Sequence, residues 1–89
     1  MEIHIEPHTL ERALERGVTI DEIKDVIREG YSITAKYDKR GKMKIYPFNK
    51  KRLGKFYKEK KVEVYYVIEN RKIVTVTVYS FYGSWEDKL

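Results

Sequence analysis

The apolar pattern of this chain changes period once, at Gly30 and Tyr31, and that single change constrains the fold more than any other feature. Before it, apolar residues recur at the three- and four-residue intervals of a helix face; after it they alternate, as they do on strands. The pattern predicts an α+β domain with two N-terminal helices packed on a curved antiparallel β-sheet of four to five strands. A length of 89 residues, 42% apolar and 37% charged, suits one folded unit with a small core.

Local signals place the elements. Glu2 to Glu6 alternates and reads as a short first strand with Ile3 and Ile5 inward; His4, set between glutamates, is read as solvated or carboxylate-paired and is left out of the site. Pro7 suits a first helical position and Gly17 a left-handed cap, so the first helix is predicted from about Pro7 to Arg16, docked by Leu10, Ala13 and Leu14. Thr19 and Glu22 form a Thr-x-x-Glu capping box for a second helix carrying Ile20, Ile23, Val26 and Ile27 and closed by Gly30. The two helices are expected as a tight antiparallel pair. Tyr31, Ile33, Ala35 and Tyr37, the turn at 38–41, and then Met43 and Ile45 predict a hairpin whose second strand ends at Pro47 or runs along an edge. Residues 49–60 read as a basic loop. Val62 to Glu69, a two-residue turn at Asn70 and Arg71, and Lys72 to Tyr79 form the clearest hairpin, with Val74, Val76 and Val78 expected toward the helices and Ile73, Thr75, Thr77 and Tyr79 away from them.

Charge is segregated along the chain. Residues 36–61 hold twelve Lys and Arg against Asp38 and Glu59, a net of +10, which leaves −5 for the remainder and gives the overall +5. Tyr37, Tyr46, Phe48, Phe56 and Tyr57 are interleaved with these cations, the footprint of a surface that meets phosphate and stacks bases. A solvated lysine-rich face or a guarded strand edge gives the same composition. With no cysteine and only His4 and His8, neither a disulfide framework nor a thiolate or histidine metal centre is expected, so no metal and no cofactor. No apolar run approaches the ~20 residues of a membrane span and no signal-peptide pattern opens the chain, so a cytoplasmic location without membrane contact is expected.

The first helix carries the chemistry. His8, Arg12 and Arg16 stand at strict four-residue spacing, so Arg12 lies about 40° and Arg16 about 80° around the cylinder from His8. Histidine exchanges protons near neutral pH and guanidinium forks grip phosphate, which is what metal-free cleavage of a phosphodiester needs. Arginines that lie over a core or pair with Glu11 and Glu15 would produce the same row.

The run from His8 through Arg12 and Arg16 to Gly17, the following Val18-Thr19 and a helix ending at Gly30, the aliphatic strand Val62 to Ile68, and Thr75-Val76-Thr77-Val78-Tyr79 together resemble the domain-of-unknown-function family 4258, grouped with the RelE-like toxins. The resemblance implies helices on a curved antiparallel sheet and metal-independent cleavage of RNA, with an antitoxin protein as inhibitor and the ribosome as a site of action. On that reading His8 is the base or acid, Arg12 and Arg16 clamp the scissile phosphate, and Tyr79, supported by Thr77, is a second proton donor or a stacking platform. Lys42, Lys44, Lys51 and Arg52 are expected to hold flanking phosphates. Two rival functions stay open: a non-catalytic nucleic-acid-binding module, and an interaction protein that dimerises through Phe81, Tyr82 and Trp85.

Overall fold

The computed structural model describes residues 1–85. Its elements run β1 (Glu2–His4), α1 (Pro7–Arg16), α2 (Ile20–Glu29), β2 (Tyr31–Ile33), β3 (Arg40–Arg52), β4 (Lys55–Glu69) and β5 (Lys72–Gly83). The five strands form one sheet in the order β1-β5-β4-β3-β2. The sheet is mixed rather than antiparallel throughout, because β1 pairs parallel to β5 through Glu2–Lys72, Ile3–Ile73 and His4–Val74. Both helices intervene before the chain re-enters the sheet at β2, on the edge opposite β1.

Both helices begin and end where their caps predict. The Thr19 hydroxyl accepts from the Glu22 amide at 3.1 Å while the Glu22 carboxylate accepts from the Thr19 amide at 2.9 Å. Gly17 takes φ 71° and the Val18 amide returns to the Ala13 carbonyl at 2.9 Å, which closes α1. Thr19→Ala is expected to cost about 1 kcal/mol, read as a lower midpoint in urea with an unchanged slope.

Each helix packs chiefly on the sheet, α1 on β5 and α2 on β4 and β3, and contact between the helices is slight, so the expected tight antiparallel pair is a looser one. The docking face of α1 is also rotated from Leu10 and Leu14, which are exposed, to Thr9 and Ala13, which are buried. Small residues let the helix approach β5 closely enough for Thr75 to donate to the Thr9 hydroxyl at 2.9 Å and accept from the Glu6 amide at 3.0 Å. Thr75 and Thr9 are both buried, so Thr75→Val strands two polar groups and is expected to cost about 1–3 kcal/mol, checked by chemical denaturation. The remaining core is Val18, Ile23, Val26, Ile27, Val62, Val64, Tyr66 and Val78, all between helices and sheet.

Two strand expectations are corrected. Tyr65 pairs with Thr77 and Tyr66 with Thr75, leaving Val76 as an extra residue on β5. That bulge shifts the facing, so Thr75 and Val78 turn toward the helices and Val74 and Val76 do not. Residues 49–60, expected as a loop, are strand: β3 and β4 continue as a long ribbon closed by Leu53 and Gly54, both with positive φ. Pro47 sits where β3 has run past its short neighbour β2, at an outer edge that needs no amide donor, and the register slips between Pro47 and Lys50.

Candidate nucleic-acid interface along the open edge of β5

The last turn of α1 is held by four side chains from the sheet. Arg52 Nη2 donates to the Glu15 carbonyl at 3.0 Å, Ser80 Oγ and Tyr82 Oη both donate to the Arg16 carbonyl at 2.8 Å, and Lys60 Nζ donates to the Gly17 carbonyl at 3.0 Å. These satisfy carbonyls that a helix end otherwise leaves to water, and two of the donors are cations placed at the negative end of the helix. Lys60 is 6% exposed and is neutralised by Glu22 at 2.8 Å. Tyr82 packs edge-on against Phe48 at 5.0 Å and lies under the Arg52 guanidinium at 4.8 Å. The left-handed φ of 71° favours glycine at position 17, and a Cβ there would stand 2.8 Å from the ends of the Arg52 and Tyr82 side chains and displace both caps.

This anchoring fixes where the His/Arg row lies. Because β1 covers only residues 72–74 of β5, the rest of β5 has no strand on that side, and α1 runs beside this open edge from Thr75 to Tyr82. Arg16 reaches across the edge: Nη1 donates to the Val78 carbonyl at 2.7 Å and the guanidinium stacks on the Tyr79 ring at 4.9 Å. Arg12 is half-buried and paired with Glu15 at 3.1 Å. His8 is exposed in the first turn, about 12 Å along the helix axis from Arg16. The structure thus brings Arg16 to Tyr79 and sets Arg12 between Arg16 and His8, while no contact joins His8 to Tyr79.

On the sheet face away from the helices, Thr77 and Tyr79 line an open cleft of ≈ 380 Å³ with Val76, Tyr65, Lys36 and Lys39. The segment after β2 folds over this face and brings the two lysines. Tyr65 meets Tyr79 edge-on at 5.9 Å and donates to Glu63 at 3.1 Å; burial, and then the Glu63 carboxylate, hold its phenol protonated above the ordinary range. Lys36, Lys39 and Tyr65 were not singled out from the sequence. The alternation of β4 is the signal for Tyr65, whereas nothing local announces that 34–39 crosses the sheet.

The four cations expected to hold flanking phosphates do not gather. Lys44 is paired with Asp25 at 2.7 Å, Arg52 caps α1, Lys42 sits half-buried opposite Val64, and Lys51 is exposed on the ribbon about 30 Å further along β3. Asp25 also accepts from Tyr46, and its carboxyl is held below the usual range, first by the Lys44 hydrogen bond and then by that from Tyr46. A depressed folded value means the stabilisation is full above the unfolded value of about 3.9 and is lost as pH falls through the lower folded one. Asp25→Asn is expected to remove that acid-side loss, seen as a flatter dependence of unfolding free energy on pH below about 4.

The aromatic tail is engaged within the chain. Lys61 lies over Phe81 at 5.1 Å and over Trp85 at 5.4 Å, and the Trp85 amide donates to Glu59. Residues 86–89 lie outside the described residues. His4 approaches Glu6 at 3.5 Å, as a carboxylate-paired histidine would. Among the described residues, no helix is long and apolar enough to cross a membrane, and no three His, Cys, Asp or Glu side chains are grouped to hold a metal ion.

A family model described as Domain of unknown function (DUF4258) matches residues 5–80, and the chain belongs to that family. No curated protein and no solved structure matches it. The matched span covers the His/Arg row, both helices and β5 as far as Ser80.

Proposed function

We propose that this chain binds RNA along the open edge of β5 and cleaves it in the manner of the RelE-like ribonucleases that it resembles. One observation carries the reading: a histidine and two arginines stand in a row beside an unpaired strand edge, and the row ends on a guanidinium stacked on Tyr79 at the mouth of a lysine-flanked cleft. Arg16 and Tyr79 form a platform of the kind that holds a base and its phosphate together. Arg12 lies one turn away, at the position for the next phosphate, with His8 beyond it.

His8 takes the proton from a 2′-hydroxyl, the 2′ oxygen bonds to phosphorus, and the 5′ oxygen leaves with a proton from water. Arg12 stabilises the charge that builds on the phosphoryl oxygens. Thr77 and Tyr79 position the strand from the cleft side, and Lys36 and Lys39 add affinity that falls with salt. A ribosome that presents the RNA and a protein inhibitor of antitoxin type are the partners this reading implies.

A second reading draws on the pairing of Arg12 with Glu15 and of Arg16 with the Val78 carbonyl, which occupy guanidinium donors in the free protein. It makes the domain a binding module without turnover. End-labelled RNA incubated in chelator with the wild type, His8→Ala and Arg12→Ala separates the two. Cleavage by the wild type alone, leaving 2′,3′-cyclic phosphate and 5′-hydroxyl ends, supports the ribonuclease; salt-sensitive binding with intact RNA for all three supports the module.

A further inference from the structure

Leucine is an unfavourable residue at the end of a hairpin. Leu53 takes φ 51° in the first central position of a two-residue turn where Asn or Asp is preferred, a left-handed conformation that costs an ordinary L-residue about 1–2 kcal/mol. It is also 95% exposed, so it contributes nothing to the core in return. Strain and full exposure at one apolar residue point away from the chain's own fold.

A matching recess lies nearby. The rotation of α1 leaves Leu14 85% exposed and Leu10 and Ile20 partly so, and with Ala13 and Val18 they line an apolar groove of ≈ 340 Å³ between the helices. Exposed Glu11 and Asp21 stand beside Leu10 and Ile20, whereas exposed Lys51 and Lys55 flank the Leu53 turn. Knob and groove sit on either side of the same helix end, because Arg52, next to Leu53, donates to the carbonyl of Glu15, next to Leu14. A patch that carries a projecting apolar group with basic flanks beside a recess with acidic flanks is complementary to itself. A two-fold axis makes such a contact twice.

We propose that a second copy of this chain occupies the groove, with Leu53 of each copy seated between α1 and α2 of the other. One leucine in one groove falls well short of the roughly 800 Å² per partner that a stable interface buries, so both contacts must form and the lysine and carboxylate flanks must close around them. This interface is separate from Phe81, Tyr82 and Trp85, and it leaves the open edge of β5 uncovered by the contacts it uses.

Sedimentation equilibrium over micromolar to millimolar concentrations tests it with the wild type, Leu53→Asn, Leu14→Arg, and an equal mixture of the two variants. Asparagine suits the turn, so Leu53→Asn is expected to melt no lower than the wild type, which rules out misfolding as the cause of any loss. The wild type is expected to dimerise reversibly and more weakly in high salt, and each variant to weaken dimerisation by about tenfold or more. The mixture should associate better than either variant alone, because it rebuilds one of the two contacts. A wild type that stays monomeric, or variants that dimerise as well as it does, would overturn the proposal.

Discussion

Lys60→Met is expected to lower the unfolding free energy by about 3 kcal/mol, which for a domain of this size moves the melting temperature by roughly 12–24 °C. The substitution keeps most of the side-chain volume but removes the one cation paired with Glu22 among the described residues and the donor to the Gly17 carbonyl. Glu22, mostly buried, is then left as an uncompensated charge, and that penalty exceeds what an exposed ion pair is worth. Adding Glu22→Gln removes the stranded charge while leaving an oxygen to accept from the Thr19 amide, so the double variant should recover part of the loss. Thermal unfolding followed by circular dichroism checks both. A Lys60→Met protein as stable as the wild type would mean that α1 is not anchored through this lysine.

For RNA cleavage, His8→Ala is expected to reduce the rate by about 10²–10⁴-fold, the range for loss of a positioned proton-transfer group, while the melting temperature stays within experimental error. His8 is exposed and, among the described residues, has no side-chain hydrogen bond that the fold depends on, so stability and activity separate cleanly at this position. Arg16→Ala differs in kind. It removes the donor to the Val78 carbonyl as well as the cation over Tyr79, and both stability and RNA affinity should fall. A parallel loss of melting temperature with His8→Ala would contradict its assignment to chemistry.

What could be read from the sequence was what is decided locally. Pro7, Gly17, and Thr19 with Glu22 set helix ends through groups a few residues apart, and α1 and α2 begin and end where those residues say. The turn at Asn70 and Arg71 is of the same kind, with both residues at positive φ. Decisions made across the chain were hidden. The run Val74-Val76-Val78 alternates without a break, so nothing in it reveals that Val76 is a bulge; the partner strand sets that. The ribbon at 49–60 is solvated on much of its surface and has no continuous apolar face to give it a period, so its pairing comes from the opposite strand and from Phe48, Tyr57 and Tyr82 packing together.

The same distinction explains the site. Spacing placed His8, Arg12 and Arg16 on one side of a helix, and they do share it. That Arg52 and Lys60 cap the end of α1 depends on partners 37 and 43 residues away, and a basic stretch looks the same with or without that role. The rotation of α1 is also a long-range effect: Thr9 meets Thr75 and Ser80 meets the Arg16 carbonyl, which turns Leu10 and Leu14 outward against the simple hydrophobic reading.

Whether RNA lies along α1 and the open edge of β5 is decided by amide chemical-shift mapping of the isotope-labelled protein with a short unstructured RNA. The expected result is a footprint on His8, Arg12, Arg16, Thr77 and Tyr79, with Lys36 and Lys39 following and the Leu53 turn unchanged. Shifts confined to the ribbon around Lys51 and Lys55, with α1 and β5 silent, would contradict it.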